Sequence, residues 1–345
     1  MPVPPALVLA RPDRVGDVIL SSSCLPAVRS AYPDHALYFL AAPAMECLFE
    51  GHPLLAGFLP FSKETPVWPR FSSLKKRFHG LRPEIFAALH PDPSLYAAAR
   101  FAGIPRRIGW RSGVWSWMLT DSLPYSKSEG RKHEAEYNFD ILKPLGISLP
   151  PSLRPNLSLA PRYRDSLHAQ ISWRPEEKPL IALHPSAFSP VARWPAEYFA
   201  ELARRIESTK AFSIVWIGGD AADPSLREIR ALLGPLFRET HNLCGKLNLA
   251  ELGWLLSQAR ALVSRDTGPV HLAAAVDCPS VVIFGRSTPL YGPVRWKPLS
   301  DKTAVLANRE TERPGESRAE FWRRSFASIS VDEVEAALRH QVAFP

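Results

Sequence analysis

Short apolar runs recur along the chain, each ending in small and polar residues. Ala6–Ala10 is the first; residues 18–31 then take helical spacing up to Tyr32-Pro33, and a second run covers 36–40. A run apolar at every position, not at alternate ones, suits a strand covered on both faces, as in a parallel sheet. Strand, helix, strand in that order predicts an α/β layer from the start. A second series begins further on, with strands over 180–183 and 212–217, the latter ending in Gly218-Gly219-Asp220. Helical spacing covers 196–206, 226–233, 250–257 and 331–340, with Ser330 placed to cap the last. Between the two series, residues 150–178 are rich in proline and read as a linker plus one helix.

The stretch 259–289, ARALVSRDTGPVHLAAAVDCPSVVIFGRSTP, reads as strand, helix and strand. Asp266 or Thr267 is placed to cap that helix, and Pro269 suits a first turn that needs no backbone donor. Gly268 lets a ligand approach the backbone, and helix amides with the positive dipole end favour phosphate. His271 falls in the same turn. Two other strand ends add to this. Leu183-His184-Pro185-Ser186 is followed by Arg193, a permanent cation for a diphosphate, and Asp220 offers acceptors to a ribose or an adenine amine. Together they outline a nucleotide-diphosphate pocket in the C-terminal half. In the N-terminal half, Asp17 lies beside Gly16 where the first strand turns into its helix, as a general base toward a hydroxyl would. Taken alone, a well-capped helix accounts for D-T-G-P as well as an anion site does, and an N-cap accounts for Asp17 better than a base.

Composition narrows the classes. The chain has 345 residues, 46% hydrophobic and 22% charged, as two soluble globular domains would be. A net charge of +8 points to anionic partners: nucleic acid, a phosphorylated small molecule or a membrane surface. No helix-turn-helix, RNP or zinc signature supports nucleic acid. No D-x-D or G-x-G-x-x-G motif occurs, so neither a metal nor a nicotinamide cofactor is expected. Cys24, Cys47, Cys244 and Cys278 lack paired spacing and read as core residues of a reducing compartment. Arg11, Asp13, Arg14 and Asp17 interrupt the first apolar segment, which is then neither a signal peptide nor a membrane span. The expectation is a cytoplasmic protein.

Four segments carry a resemblance, HNLCGKLNLAELGWLLSQARALVSRDTG at the approach to the C-terminal motif among them. DRVGDVILSSSCLPAVRSAYP resembles the opening motif of glycosyltransferase family 9, the ADP-heptose:lipopolysaccharide heptosyltransferases. HPSAFSPVARWPAEYFAELA is similar to that family's central motif, and SRDTGPVHLAAAVDCPSVVIFG to its C-terminal D-S/T-G-P motif. The resemblance implies an α/β fold of GT-B type, two Rossmann-like domains facing across a cleft. Residues 1–165 would bind the acceptor and 175–328 the nucleotide sugar, with 329–345 a helix packing back toward the first domain. It implies an inverting transfer of heptose from ADP-heptose to a phosphorylated, lipid-linked lipopolysaccharide core. Asp17 would be the base. Arg193, Asp220, Asp266, Thr267, Gly268 and His271 would bind the donor, and Arg107 and Arg111 the acceptor. A related transferase of another nucleotide sugar, or an inactive sugar-nucleotide-binding protein, are the alternatives. Residues 70–82, RFSSLKKRFHGLR, place Phe71, Leu74, Phe78 and Leu81 at helical spacing among basic residues. Such a helix packs on the sheet, meets an anionic membrane at the inner face of the cytoplasmic membrane, or does both.

Overall fold

The computed structural model describes residues 4–171, 178–186 and 192–342, and the chain divides into two compact units, Met1–Ala160 and Pro161–Pro345. The first unit runs β1 (Ala6–Ala10), α1 (Val15–Ser22), α2 (Leu25–Ala31), β2 (Ala36–Ala41), β3 (Gly57–Pro60) and α3 (Val67–Leu81). It continues β4 (Pro83–Ala88), α4 (Pro93–Phe101), β5 (Arg106–Trp110), β6 (Asp121–Leu123) and α5 (Glu134–Leu142). The second runs α6 (Pro161–Gln170), β7 (Leu180–His184), α7 (Ala196–Ser208), β8 (Ser213–Trp216), α8 (Pro224–Leu233), β9 (His241–Asn242) and α9 (Leu249–Gln258). It ends with β10 (Ala261–Arg265), α10 (Gly268–Ala275), β11 (Ser280–Phe284), α11 (Pro293–Trp296), β12 (Thr303–Ala307), α12 (Arg318–Ala327) and α13 (Val331–Gln341).

Each unit holds a six-stranded sheet, ordered β3-β2-β1-β4-β5-β6 in the first and β9-β8-β7-β10-β11-β12 in the second. Every strand pairing is parallel. Both orders are the doubly wound arrangement read from its first strand outward. Each sheet therefore has one switch point, between β1 and β4 and between β7 and β10. Crossovers leave such a point toward opposite faces and open a crevice at the carboxyl ends of its strands. The apolar runs behave as their pattern requires: β1, β7, β10 and β11 are buried at every position.

Three features go beyond the sequence reading. The single helix over 18–31 is two helices, broken at Ser23-Cys24. Pro26 stands in the first turn of α2 and cannot continue the ladder of α1. The hydroxyls of Ser22 and Ser23 also take the carbonyls of Ile19 and Leu20, at 2.6 Å each. Secondly, α6, the one helix expected within residues 150–178, packs on α9 within the second unit, with Ser166 Oγ 2.5 Å from Glu251 Oε1. The division thus falls after residue 160. Thirdly, α13 packs on α7, β11 and β12 of the second sheet, burying Val331, Val334 and Leu338. Its start is pinned by Trp194, whose indole donates to the Ile329 carbonyl at 2.7 Å.

The basic helix is α3. Leu74 and Phe78 are buried in the core that α3 and α4 form over the first sheet, and Phe71 and Leu81 pack at its margin. Lys76 and Arg77 stay exposed. The apolar stripe packs on the sheet, and the charge faces outward.

Candidate active site

The crevice end of the first sheet is built by the residues that follow β1 and β4. Arg11, the first residue past β1, is buried with its long side chain wholly inside. Its guanidinium donates to Asp13 Oδ1 (2.6 Å), Asn138 Oδ1 (2.8 Å), Glu134 Oε1 (2.9 Å) and Asp17 Oδ1. Burial works against the charge on Arg11, and Asp13, Asp17 and Glu134 outweigh it, holding the group firmly protonated. Lys127 donates to the same Glu134 and, at 3.2 Å, to the Leu89 carbonyl. Burial, with Arg11 nearby, brings this lysine down to about 8. His90 follows β4 and lies 3.2 Å from Asp13 Oδ2. Burial lowers it to about 4 against the pull of Asp13, so it is neutral at physiological pH.

Asp17 sits in the first turn of α1 and is 7% exposed. Burial raises its carboxyl to about 7; Arg11 pulls the other way, while Asp13 and Glu134 push further up. A carboxylate titrating there is half protonated near neutrality and matched to proton transfer at working pH. Asp17 lies where β1 turns into α1, and the structure adds partners that the sequence left unassigned. Arg11 and Asp13 are visible as charges that end a strand. Lys127, Glu134 and Asn138 lie more than a hundred residues on and carry no local signal.

The two arginines expected at the acceptor differ. Arg111 follows the carboxyl end of β5 and is exposed. Arg107 lies near the amino end of that strand, and its guanidinium is turned onto the carbonyls of Ile104, Pro105 (3.3 Å) and Met118 (2.7 Å). Three backbone acceptors converge there, so Arg107 braces the corner between β5 and the turn Gly113–Met118.

In the second unit the crevice end lies between β7 and β10. His184 closes β7, buried, with Nδ1 3.0 Å from Ser264 Oγ and 3.3 Å from Thr267 Oγ1. Burial, helped by Arg265, lowers His184 to about 4, so it too is neutral. Thr267 is the N-cap of α10, but its side chain makes no cap bond; the hydroxyl is committed to His184, Ser264 and the Arg265 carbonyl. Gly268 opens the helix, Asp266 hydrogen-bonds through its amide to Ile283, and His271 is buried on α10. Neither His184 nor Ser264 was singled out by pattern, although the strand end that holds His184 was.

Arg193 and Asp220 lie at the next strand ends. Arg193 reaches α8, donating to Ser225 Oγ at 2.9 Å and to Glu228 Oε2 at 3.0 Å. Asp220 is exposed after β8 and accepts from the Ala222 amide at 2.8 Å. Close approach shapes this edge: a Cβ on Gly218 would stand 2.4 Å from Ser186 Oγ, so a side chain there would require the serine hydroxyl to turn away. Residues 187–191 of the central motif lie outside the described residues.

Each parallel sheet thus gathers polar and charged residues at the carboxyl ends of its strands. Residues 87–321 match the profile of glycosyltransferase family 9 (heptosyltransferase). The chain belongs to glycosyltransferase family 9. It is similar to lipopolysaccharide heptosyltransferase 2 of Escherichia coli K12, 28% identical over 315 residues that cover 87% of each chain. It is also similar to lipooligosaccharide heptosyltransferase 2 of Haemophilus influenzae, 29% identical over 323 residues and 89% of each chain. Among solved structures it resembles the E. coli ADP-heptose lipopolysaccharide heptosyltransferase II, with a TM-score of 0.80, 26% identity and coverage of 97% and 98%. The protein is a glycosyltransferase of the GT-B type. Among the described residues no helix is long and apolar enough to cross a membrane.

Proposed function

We propose that this transferase moves a heptose from ADP-heptose to a lipopolysaccharide core acceptor with inversion at the anomeric carbon. The observation that carries the reading is Asp17, a carboxyl buried at the switch point and held at about 7. The acceptor hydroxyl gives its proton to Asp17 as its oxygen attacks the anomeric carbon. The bond from that carbon to the diphosphate oxygen breaks, and the electron pair leaves with ADP. Attack opposite the leaving group inverts the centre. Arg193 and the amides of Thr267 and Gly268 take up the charge on the departing diphosphate, a task suited to preorganised donors. Asp220 accepts from the adenosine end, Asp266 orders the turn, and buried His271 supports the start of α10. Arg111 is the acceptor-side cation.

The test is turnover with ADP-heptose and other nucleotide sugars against a panel of truncated lipopolysaccharide cores. Product from ADP-heptose alone is expected; product only from another donor would overturn the heptose assignment. In the same preparation ADP should raise the melting temperature, because a ligand that binds only the native state stabilises it. Arg193→Ala should shrink that shift while leaving the ligand-free melting temperature within a few degrees of wild type.

We also infer that the first unit meets an anionic membrane at its inner face. Residues 65–83 and 93–120 hold nine Lys and Arg and no Asp or Glu, more than the whole net charge of +8. The same segments expose Trp68 (79%), Val114 (78%) and Trp117 (62%), and α4 packs against both α3 and the turn Gly113–Met118. Indoles beside cations are what an interfacial layer of headgroups accepts. Each Lys or Arg near such a surface contributes about 1 kcal/mol, screened by salt. Sedimentation should show binding to vesicles containing phosphatidylglycerol, loss of it in salt, and none to neutral phosphatidylcholine. Reversing Lys75, Lys76 and Arg77 to Glu should weaken it without changing the ADP shift. Equal binding to neutral vesicles would remove the electrostatic basis.

A further inference from the structure

Arg265 ends β10 at the switch point of the second sheet and is 8% exposed, yet its buried Nε has no hydrogen-bond partner among the described residues. Its guanidinium lies over the ring of Phe326, 5.5 Å from the centroid. No carboxylate pairs with it among the described residues. Burial lowers Arg265 to about 10 against the pull of Asp266, with a smaller repulsion from Arg286, so it remains a cation at neutral pH.

The surroundings hold this cation in place without neutralising it. Phe326 reaches the strand ends because Gly285 leaves room: a Cβ there would stand 2.3 Å from the ring. Arg286 follows Gly285 at the end of β11, the strand beside β10. It stacks 4.3 Å from the centroid of Tyr291 and 5.4 Å from that of Trp322. Trp322 and Phe326 are four residues apart on α12 and share one face. One helix face thus supports two guanidiniums at adjacent strand ends.

A buried guanidinium lacking hydrogen-bonded anions is costly, and a second cation beside it adds to the cost. Such an arrangement is stable in use where a ligand supplies the missing anion, and perturbed cations at a crevice mark binding sites for that reason. Arg265 immediately precedes Asp266-Thr267 and the opening of α10, and a guanidinium fork matches phosphate oxygens. We propose that Arg265, with Arg286 beside it, forms a phosphate-oxygen subsite for the diphosphate of the donor, a second cationic contact besides Arg193. This rests on the reading of the second unit as the nucleotide-sugar half.

Calorimetric titration of the full chain with ADP and with adenosine tests it. Arg265→Met should lower ADP affinity tenfold or more and leave adenosine affinity within twofold. It should also raise the ligand-free melting temperature, since an unpaired buried cation is replaced by an apolar side chain of similar length. Arg286→Gln, at a half-buried position, should lower ADP affinity by a smaller factor and keeps the proposal testable should the Met variant fold poorly. ADP affinity within twofold of wild type in both variants, with Arg193→Ala impaired, would overturn the subsite and leave the donor reading standing. Wild type binding ADP no better than adenosine would overturn the donor reading, and the subsite with it.

Discussion

Asp17→Asn is expected to lower kcat by at least about 10²-fold, the usual scale for a lost general base, with ADP binding and fold unchanged. The amide keeps the size and the Arg11 contact but cannot take the acceptor's proton. The wild-type pH profile supplies an independent check. A free aspartate would be ionised throughout the range from pH 5 to 8 and give a flat rate. Burial holds Asp17 at about 7, so the protonated, inactive form dominates below that value. kcat/KM should therefore fall about tenfold for each pH unit below 7. A flat profile from pH 5 to 8, or near-normal turnover in the Asn variant, would remove Asp17 from the mechanism. The sign for stability is opposite. With a folded value near 7 and an ordinary value of 3.8, folded Asp17 holds a proton that the unfolded chain has released. Its contribution is full below about pH 4 and is lost as pH rises through 7.

Arg11→Met should be the most destabilising single change in the first unit. It leaves Asp13, Asp17 and Glu134 without the guanidinium that joins them, while Lys127 stays on Glu134. Removing one partner of a buried ion network costs about 3–5 kcal/mol. For a unit of this size that is a melting-temperature loss on the order of 10 °C. Activity should fall as well, because Asp17 loses the group that orients it and opposes its protonation. Thermal unfolding of Arg11→Met beside Arg111→Met, an exposed position, checks the origin of the loss. The rim substitution should stay within about 0.5 kcal/mol of wild type. Adding Glu134→Gln to Arg11→Met should recover part of the loss by removing one stranded carboxylate. Equal unfolding of Arg11→Met and wild type would contradict the network.

Periodicity reports burial, and burial in a parallel sheet is continuous along a strand, so β1, β2, β7, β8, β10 and β11 were legible as apolar runs. Strand ends were legible too, as abrupt passages from apolar to small and polar residues, which is why Asp17, Asp220 and the Asp266–Thr267–Gly268 turn fell at crevice ends. Family motifs in order across both halves made the enzyme class readable from the chain alone. The break between α1 and α2 was less visible, because apolar spacing runs through Ser23-Cys24 and the serine hydroxyls act only once the helix exists.

Tertiary structure decided what those strand ends meet. Arg11 joins Asn138 and Glu134 because α5 returns to pack on α1, β4 and β5, and nothing near residue 134 announces that return. His184 reaches Ser264 because β7 and β10 pair in register at the switch point. Arg107 and Arg111 are nearly indistinguishable as basic residues in a tryptophan-rich stretch. The direction of β5 sends one onto backbone carbonyls and leaves the other exposed at the carboxyl end. Arg265 follows four apolar or small strand residues as one more charge in sequence; the ring of Phe326 under Gly285, and an Nε without a hydrogen bond among the described residues, make it a cation in waiting. Local pattern fixes which positions are buried and where strands stop. Which charges share a crevice depends on crossovers and register, and those are set by contacts far apart in the chain.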